Sequence, residues 1–150
     1  MILWHLRFLA ITVGVIASFG VAAQDGQKNE SPLGLWQTPG GGVVEISPCG
    51  QFICGQIAGI PRARGEPIPK DSTGRSQCRL TIIRQASEGS DGSWSGEITD
   101  PRNGTQYHVN LRVDDQGSLH VRGYILLPLL GQTQIWPRYT GRIGPECTLV

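Results

Sequence analysis

The two ends of the patterned region constrain this chain most: Gly34-Leu35-Trp36 where it starts and Gly131-Gln132-Thr133-Gln134-Ile135-Trp136-Pro137-Arg138-Tyr139 where it closes. A Gly-x-Trp opening an all-β domain and an Arg on its last strand make a natural pair, because a closed barrel sets its first strand beside its last. There the Arg138 guanidinium can stack on the Trp36 indole, as a structural clasp rather than a site.

Between these ends the apolar residues alternate. Tyr107, Val109, Leu111 and Val113 form one face of a strand, and Leu119, Val121, Gly123 and Ile125 repeat the pattern in the next. A three-residue loop, Asp115-Gln116-Gly117, with Gly117 as bulge residue, sets Val113 opposite Leu119 and His108 opposite Tyr124. Upstream, Trp94, Gly96 and Ile98 alternate against Ser95, Glu97 and Thr99, so Trp94 faces inward, and Asn103-Gly104 marks a hairpin tip. Strands are also expected over 35–38, 43–47, from the 49–54 hairpin to about Ile60, over 79–85, and on the closing stretch.

The connections all suit antiparallel neighbours. Residues 61–77 form the longest loop and hold three of the ten prolines. The expected fold is all-β, a single eight-stranded antiparallel up-and-down barrel with no helix required. Its interior is just wide enough to be filled by side chains or to hold one small ligand.

Met1 to Ala23 reads as a signal peptide, an apolar run from Phe8 to Val21 followed by small residues, cleaved near Ala23. A membrane anchor wants ~20 apolar residues, and no second stretch of that length exists, so no stable span is expected after processing. Residues 24–33 read as a flexible N-terminal tail and 34–150 as the barrel domain. The destination is the periplasm or the exterior. An exported chain with four cysteines reads as a two-disulfide framework. A four-residue loop, Gly50 to Ile53, makes Cys49 and Cys54 cross-strand neighbours that can bridge, which leaves Cys78 to Cys147. Paired short ligand spacings are absent, so neither a metal nor another cofactor is expected.

Once Arg7 leaves with the leader, 12 basic and 12 acidic side chains remain. With no basic stripe, nucleic-acid binding has no electrostatic footprint. His108 and His120 would lie four residue pairs apart, on the order of 13 Å, and cannot share one metal. Gly92-Ser93-Trp94-Ser95-Gly96 misses the nucleophile-elbow spacing by one position. No catalytic residues are assigned, and the chain is not expected to be an enzyme.

One connection breaks the turn chemistry: Ile125-Leu126-Leu127-Pro128-Leu129-Leu130 is apolar. It reads either as a plug for one end of the barrel or as a greasy rim that touches a ligand, a membrane surface or a partner. The rim reading makes Leu126, Leu127, Leu129 and Leu130 the entrance for a small apolar ligand, with Trp94 and Tyr107 on the inner wall. The alternative is an envelope structural, partner-binding or inhibitor protein without a small ligand.

Taken together, Gly34-Leu35-Trp36, Val44-Glu45-Ile46, Cys49-Gly50, Cys54-Gly55, Trp94-x-Gly96-x-Ile98, Asn103-Gly104-x-x-Tyr107, Leu119-x-Val121-x-Gly123 and Gly131-Gln132-Thr133-x-x-Trp136-x-Arg138 resemble domain-of-unknown-function family 2147. The resemblance runs from about Gly34 to Arg138 and implies small exported bacterial proteins with a calycin-like, lipocalin-like barrel and no established activity. The chain departs from the family between Pro61 and Cys78, where an Asp-x-x-Asn-Pro stretch followed by Arg is present only as Lys70-Asp71-Ser72-Thr73-Gly74-Arg75.

Overall fold

The computed structural model describes residues 30–63 and 65–150. The expected leader, and residues 24–29 of the expected tail, lie outside the described residues. Eight strands follow one another: β1 (Gly34–Gln37), β2 (Val43–Cys49), β3 (Phe52–Gly59), β4 (Thr81–Glu88), β5 (Trp94–Thr99), β6 (Gln106–Val113), β7 (Leu119–Tyr124) and β8 (Gln132–Trp136). Each is antiparallel to the next in a single sheet, in chain order.

The sheet closes on itself just past β8. Gln37 N–H donates to the Pro137 carbonyl at 2.9 Å, Tyr139 N–H donates to the Leu35 carbonyl at 2.9 Å, and Trp36 lies across from Arg138. Closure leaves the sheet no long free edge to recruit another strand.

Up-and-down order divides the connections between two ends. The upper end carries the β1–β2, β3–β4, β5–β6 and β7–β8 connections, and the lower end carries the other three. Trp36, Ile46, Ile83, Leu111 and Leu119 are fully buried, and Val44, Ile53, Val109, Val121 and Trp136 pack with them into one apolar cluster. Two glycines let the wall close over this core: a Cβ on Gly55 would meet Ile83 side-chain atoms at 2.9 to 3.1 Å, and one on Gly96 would meet the Arg84 carbonyl oxygen at 2.6 Å and Ala86 Cα at 2.8 Å.

The β6–β7 pairing matches the turn argument, with Val113 opposite Leu119, His108 opposite Tyr124 and Gly117 at φ 78°. The 49–54 hairpin does not match. Cys49 pairs with Phe52 and Ser47 with Cys54, around a two-residue turn at Gly50 and Gln51. The bridge forms all the same, because Cys49 and Cys54 are diagonal neighbours whose Cα atoms lie 5.8 Å apart, within disulfide reach. Gly50 at φ 71° permits the tight turn. β4 likewise begins at Thr81 rather than at Arg79, since Arg79 holds φ 65° and Leu80 N–H turns back to the Gln77 carbonyl at 3.1 Å.

Candidate functional site

The β7–β8 connection folds as a single 3-10 turn, Pro128–Leu130. Arg122, on the outward face of β7, holds it from beneath. Its guanidinium donates to the Pro128 carbonyl at 2.7 Å, the Leu129 carbonyl at 3.2 Å and the Thr133 hydroxyl at 2.8 Å. Gly131 lets the connection lie flat on the sheet, since a Cβ there would come within 2.5 Å of the Gly123 carbonyl oxygen. The backbone is therefore tied down while the side chains stand in solvent: Leu126 is 80% exposed, Leu127 59%, Leu129 86% and Leu130 74%. They do not plug the barrel. With Ile125 they form an apolar rim at its upper end.

Tyr107 lies at that same end, at the start of β6 and opposite Ile98. Its Cβ is 3.9 Å from where a Gly123 Cβ would sit, so the missing side chain leaves room beside the ring. Trp94 does face inward and packs against the core, but it begins β5 at the lower end, opposite Leu111. Four residue pairs, on the order of 13 Å along the sheet, separate it from the Tyr107 level. Trp94 and the leucine rim thus belong to opposite ends of the lumen. Near the mouth the β1–β3 side of the wall is buried at Trp36, Val44 and Ile57, whereas on the β5–β7 side Ile98, Tyr107 and Gly123 are only half-buried. Gln132 and Gln134, register partners of the inward Gly123 and Val121, are exposed there. Gln134 turns its carbonyl to the Trp136 indole N–H at 2.8 Å, which satisfies a donor at the border of the packed core. These two glutamines are polar groups at the mouth that pattern alone did not single out.

The clasp is present. The Arg138 guanidinium carbon sits 3.8 Å above the Trp36 ring centroid, and its nitrogens donate to the Leu33 and Ser31 carbonyls. Trp36 is wholly buried and its indole N–H reaches the Pro32 carbonyl at 2.7 Å, while Arg138 remains exposed as a cover over it. The second disulfide joins Cys78 to Cys147 and fastens the C-terminal tail to the end of the long loop. No cysteine is free.

The polar residues of interest have structural partners. His108 stacks against Tyr124, with ring centroids 5.4 Å apart. His120 Nε2 lies 2.8 Å from Asp114, whose carboxylate also accepts from Ser118 N–H; this backbone hydrogen bond and the His120 contact hold the Asp114 carboxyl below its ordinary range. Asp71 organises the long loop by accepting from Thr73 N–H and hydroxyl and from Arg75 N–H and guanidinium, at 2.8 to 2.9 Å. Burial pushes its pKa up, but these hydrogen bonds outweigh it and hold the carboxyl well below the usual range. Among the described residues no three His, Cys, Asp or Glu side chains converge as a metal site, and no helix is long and apolar enough to cross a membrane.

Two hollows, of about 480 and 230 Å³, lie against the outer side of the β4 wall beneath the 71–80 segment. Neither is lined by Leu126, Leu127, Leu129 or Leu130, nor by Trp94 or Tyr107.

The family model described as an uncharacterized protein conserved in bacteria (DUF2147) matches residues 34–138. Among solved structures, a Helicobacter pylori protein described as HP1028, which belongs to the lipocalin family, superposes with a TM-score of 0.64 at 18% identity, over 73% of this chain and 84% of that one. At that identity the likeness concerns the fold, which is a lipocalin-like barrel. No curated protein matches the sequence.

Proposed function

We propose, from the premise that this chain belongs to the DUF2147 family of uncharacterized bacterial proteins, that it is an exported binding protein, not an enzyme, for a small and largely apolar molecule. The ligand would sit at the upper end of the barrel, over Tyr107 and Ile98, and enter past Leu126, Leu127, Leu129 and Leu130. The observation that carries this reading is the rim itself: exposed aliphatic side chains on a backbone fixed by Arg122, beside a stretch of inner wall where Ile98, Tyr107 and Gly123 are half-buried. Exposed apolar surface of this kind is kept where something covers it. The lipocalin-like fold supports the same reading, since an eight-stranded barrel can take one small ligand at its mouth. Gln132 and Gln134 would orient a polar end of the ligand, in the manner of the few convergent polar groups of an apolar pocket. The paired cysteines agree with export to an oxidising compartment, the periplasm or the exterior. Trp94, at the far end, is better read as part of the core.

The test is a titration with a fatty alcohol, an isoprenoid alcohol and the neutral dye Nile red, read by fluorescence and by melting temperature. Saturable binding that raises the melting temperature, and that is weakened by Tyr107→Ala and by Leu126→Ser with Leu129→Ser, is expected. If none of the three binds, and the leucine variants instead lose adhesion to lipid vesicles or to an envelope protein, the rim is a docking surface and the ligand reading fails.

A further inference from the structure

We propose that the outer wall of the barrel carries a second site, an oxyanion groove formed by Arg75, Arg79 and Arg84, for a small organic molecule bearing a phosphate or carboxylate. The larger outer hollow, of about 480 Å³, is lined by Cys54, Arg75, Arg79, Leu80, Thr81, Arg84 and Gln85. Three of these seven residues are arginines and none is acidic. In a chain whose basic and acidic side chains nearly balance as a whole, that concentration of one sign in one concavity needs a reason.

The surrounding carboxylates engage two of the three guanidiniums, one closely and one weakly, and leave the third, Arg84, without a partner. Asp71 takes Arg75 through Nε and one terminal nitrogen, at 2.9 and 2.8 Å, and so orients its guanidinium. Glu45 reaches Arg79 through one contact at 3.5 Å between exposed groups. Asp100, at the edge of the adjoining hollow, is taken by Arg102 at 2.7 Å. Arg84 has no hydrogen-bond or ion-pair partner among the described residues, although Glu97 stands opposite it in the β4–β5 register. An oxyanion in the hollow would give Arg84 the partner it lacks and could also accept from the exposed Arg79, matching the donor geometry of guanidinium groups.

Backbone strain is an independent pointer to the same place. Arg79 at φ 65° and Gln85 at φ 50° are non-glycine residues in the left-handed region, and both line the groove. Between them the β4 register slips after Arg84, at a bulge of the kind that re-aims a side chain next to a site. The Leu80 side chain supplies an apolar wall beside the cations, which favours an organic anion over a bare ion. The shared chemistry is the oxyanion, and phosphate and carboxylate are separated by experiment.

Nuclear magnetic resonance of the arginine Nε–H groups reads the site directly. The full exported chain is titrated at constant ionic strength with inorganic phosphate, hexyl phosphate and hexanoate. The expected result is saturable shifts confined to Arg75, Arg79 and Arg84 for at least one probe, with the tightest probe naming the anion. Arg84→Gln should weaken that binding about tenfold or more, as for the loss of one charge-assisted hydrogen bond, and Arg112→Gln should leave it unchanged. Shifts that do not saturate, that are equal at Arg112 and Arg122, or that survive Arg84→Gln overturn the proposal. Nile red binding at the rim is followed in the same samples, so the failure of either site is seen separately.

Discussion

Gly34 shows why the opening motif needs its glycine. It holds φ 118°, and a Cβ there would meet an Arg138 guanidinium nitrogen at 2.8 Å, so any side chain strains the backbone and pushes the clasp off Trp36. Arg138 in turn reinforces the closure that the Gln37 and Tyr139 backbone bonds make, by stacking on Trp36 and by donating to two backbone carbonyls. Arg138→Ala is therefore expected to cost about 1–3 kcal/mol, through lost stacking and lost charge-assisted hydrogen bonds. Ligand affinity of the folded fraction should not change, and thermal unfolding together with Nile red titration checks both. Asp71 acts locally instead. Its pKa is depressed in the folded protein, so its stabilisation is present above the unfolded value near 3.8 and is lost as pH falls from there toward the lower folded value. Hydrogen exchange across 70–80 should accelerate below that pH, and Asp71→Asn should show the faster exchange at neutral pH as well.

Within the elements, close approach decides which substitutions matter. Gly96 faces the β4 bulge, and Gly96→Ala drives a methyl into the Arg84 carbonyl and the Ala86 backbone, neither of which can swing aside. An overpacking cost of about 1–3 kcal/mol is expected, read from denaturant midpoints. The Cys78–Cys147 bridge closes a segment with a sequence separation of 69 and reinforces a tail that Ile60 and Arg62 also hold by hydrogen bonds. Replacing both cysteines by alanine should cost about 2–4 kcal/mol, while non-reducing peptide mapping of the unaltered protein should recover Cys49–Cys54 and Cys78–Cys147 peptides.

Across the whole molecule the packing is uneven. The fully buried side chains run through β1, β2, β4, β6 and the lower part of β7, while the β7–β8 connection and the start of β8 are exposed. Native-state hydrogen exchange should follow that gradient, slowest at Ile46, Ile83 and Leu111 and fastest at Leu130 and Thr133. A ligand at the mouth should slow the fast group without affecting the slow one. The outer groove lies on β4, away from the rim, so an anion bound there should leave the exchange of the rim unchanged.

Much of this architecture was legible in the residues because it is local or periodic. Two-residue alternation placed the strands, Gly117 set the β6–β7 register, and the Trp36 and Arg138 motifs announced closure. The parts that could not be read depend on contacts across the sheet. Cys49 and Cys54 bridge as expected from a hairpin of different register, because twist brings diagonal neighbours within reach and spacing cannot tell a diagonal from a direct pair. Alternation put Trp94 and Tyr107 on one face, yet only the strand directions separate them to opposite ends of the lumen. The leucines were legible as apolar but not as exposed, because exposure follows from the hold that Arg122 and Gly131 keep on their backbone. Arg75, Arg79 and Arg84 share a hollow only after the long loop folds back over the outside of β4. Sequence determined which residues can face the core, since that follows from a period of two; tertiary structure decided which end and which surface they share, since that follows from how distant segments pack.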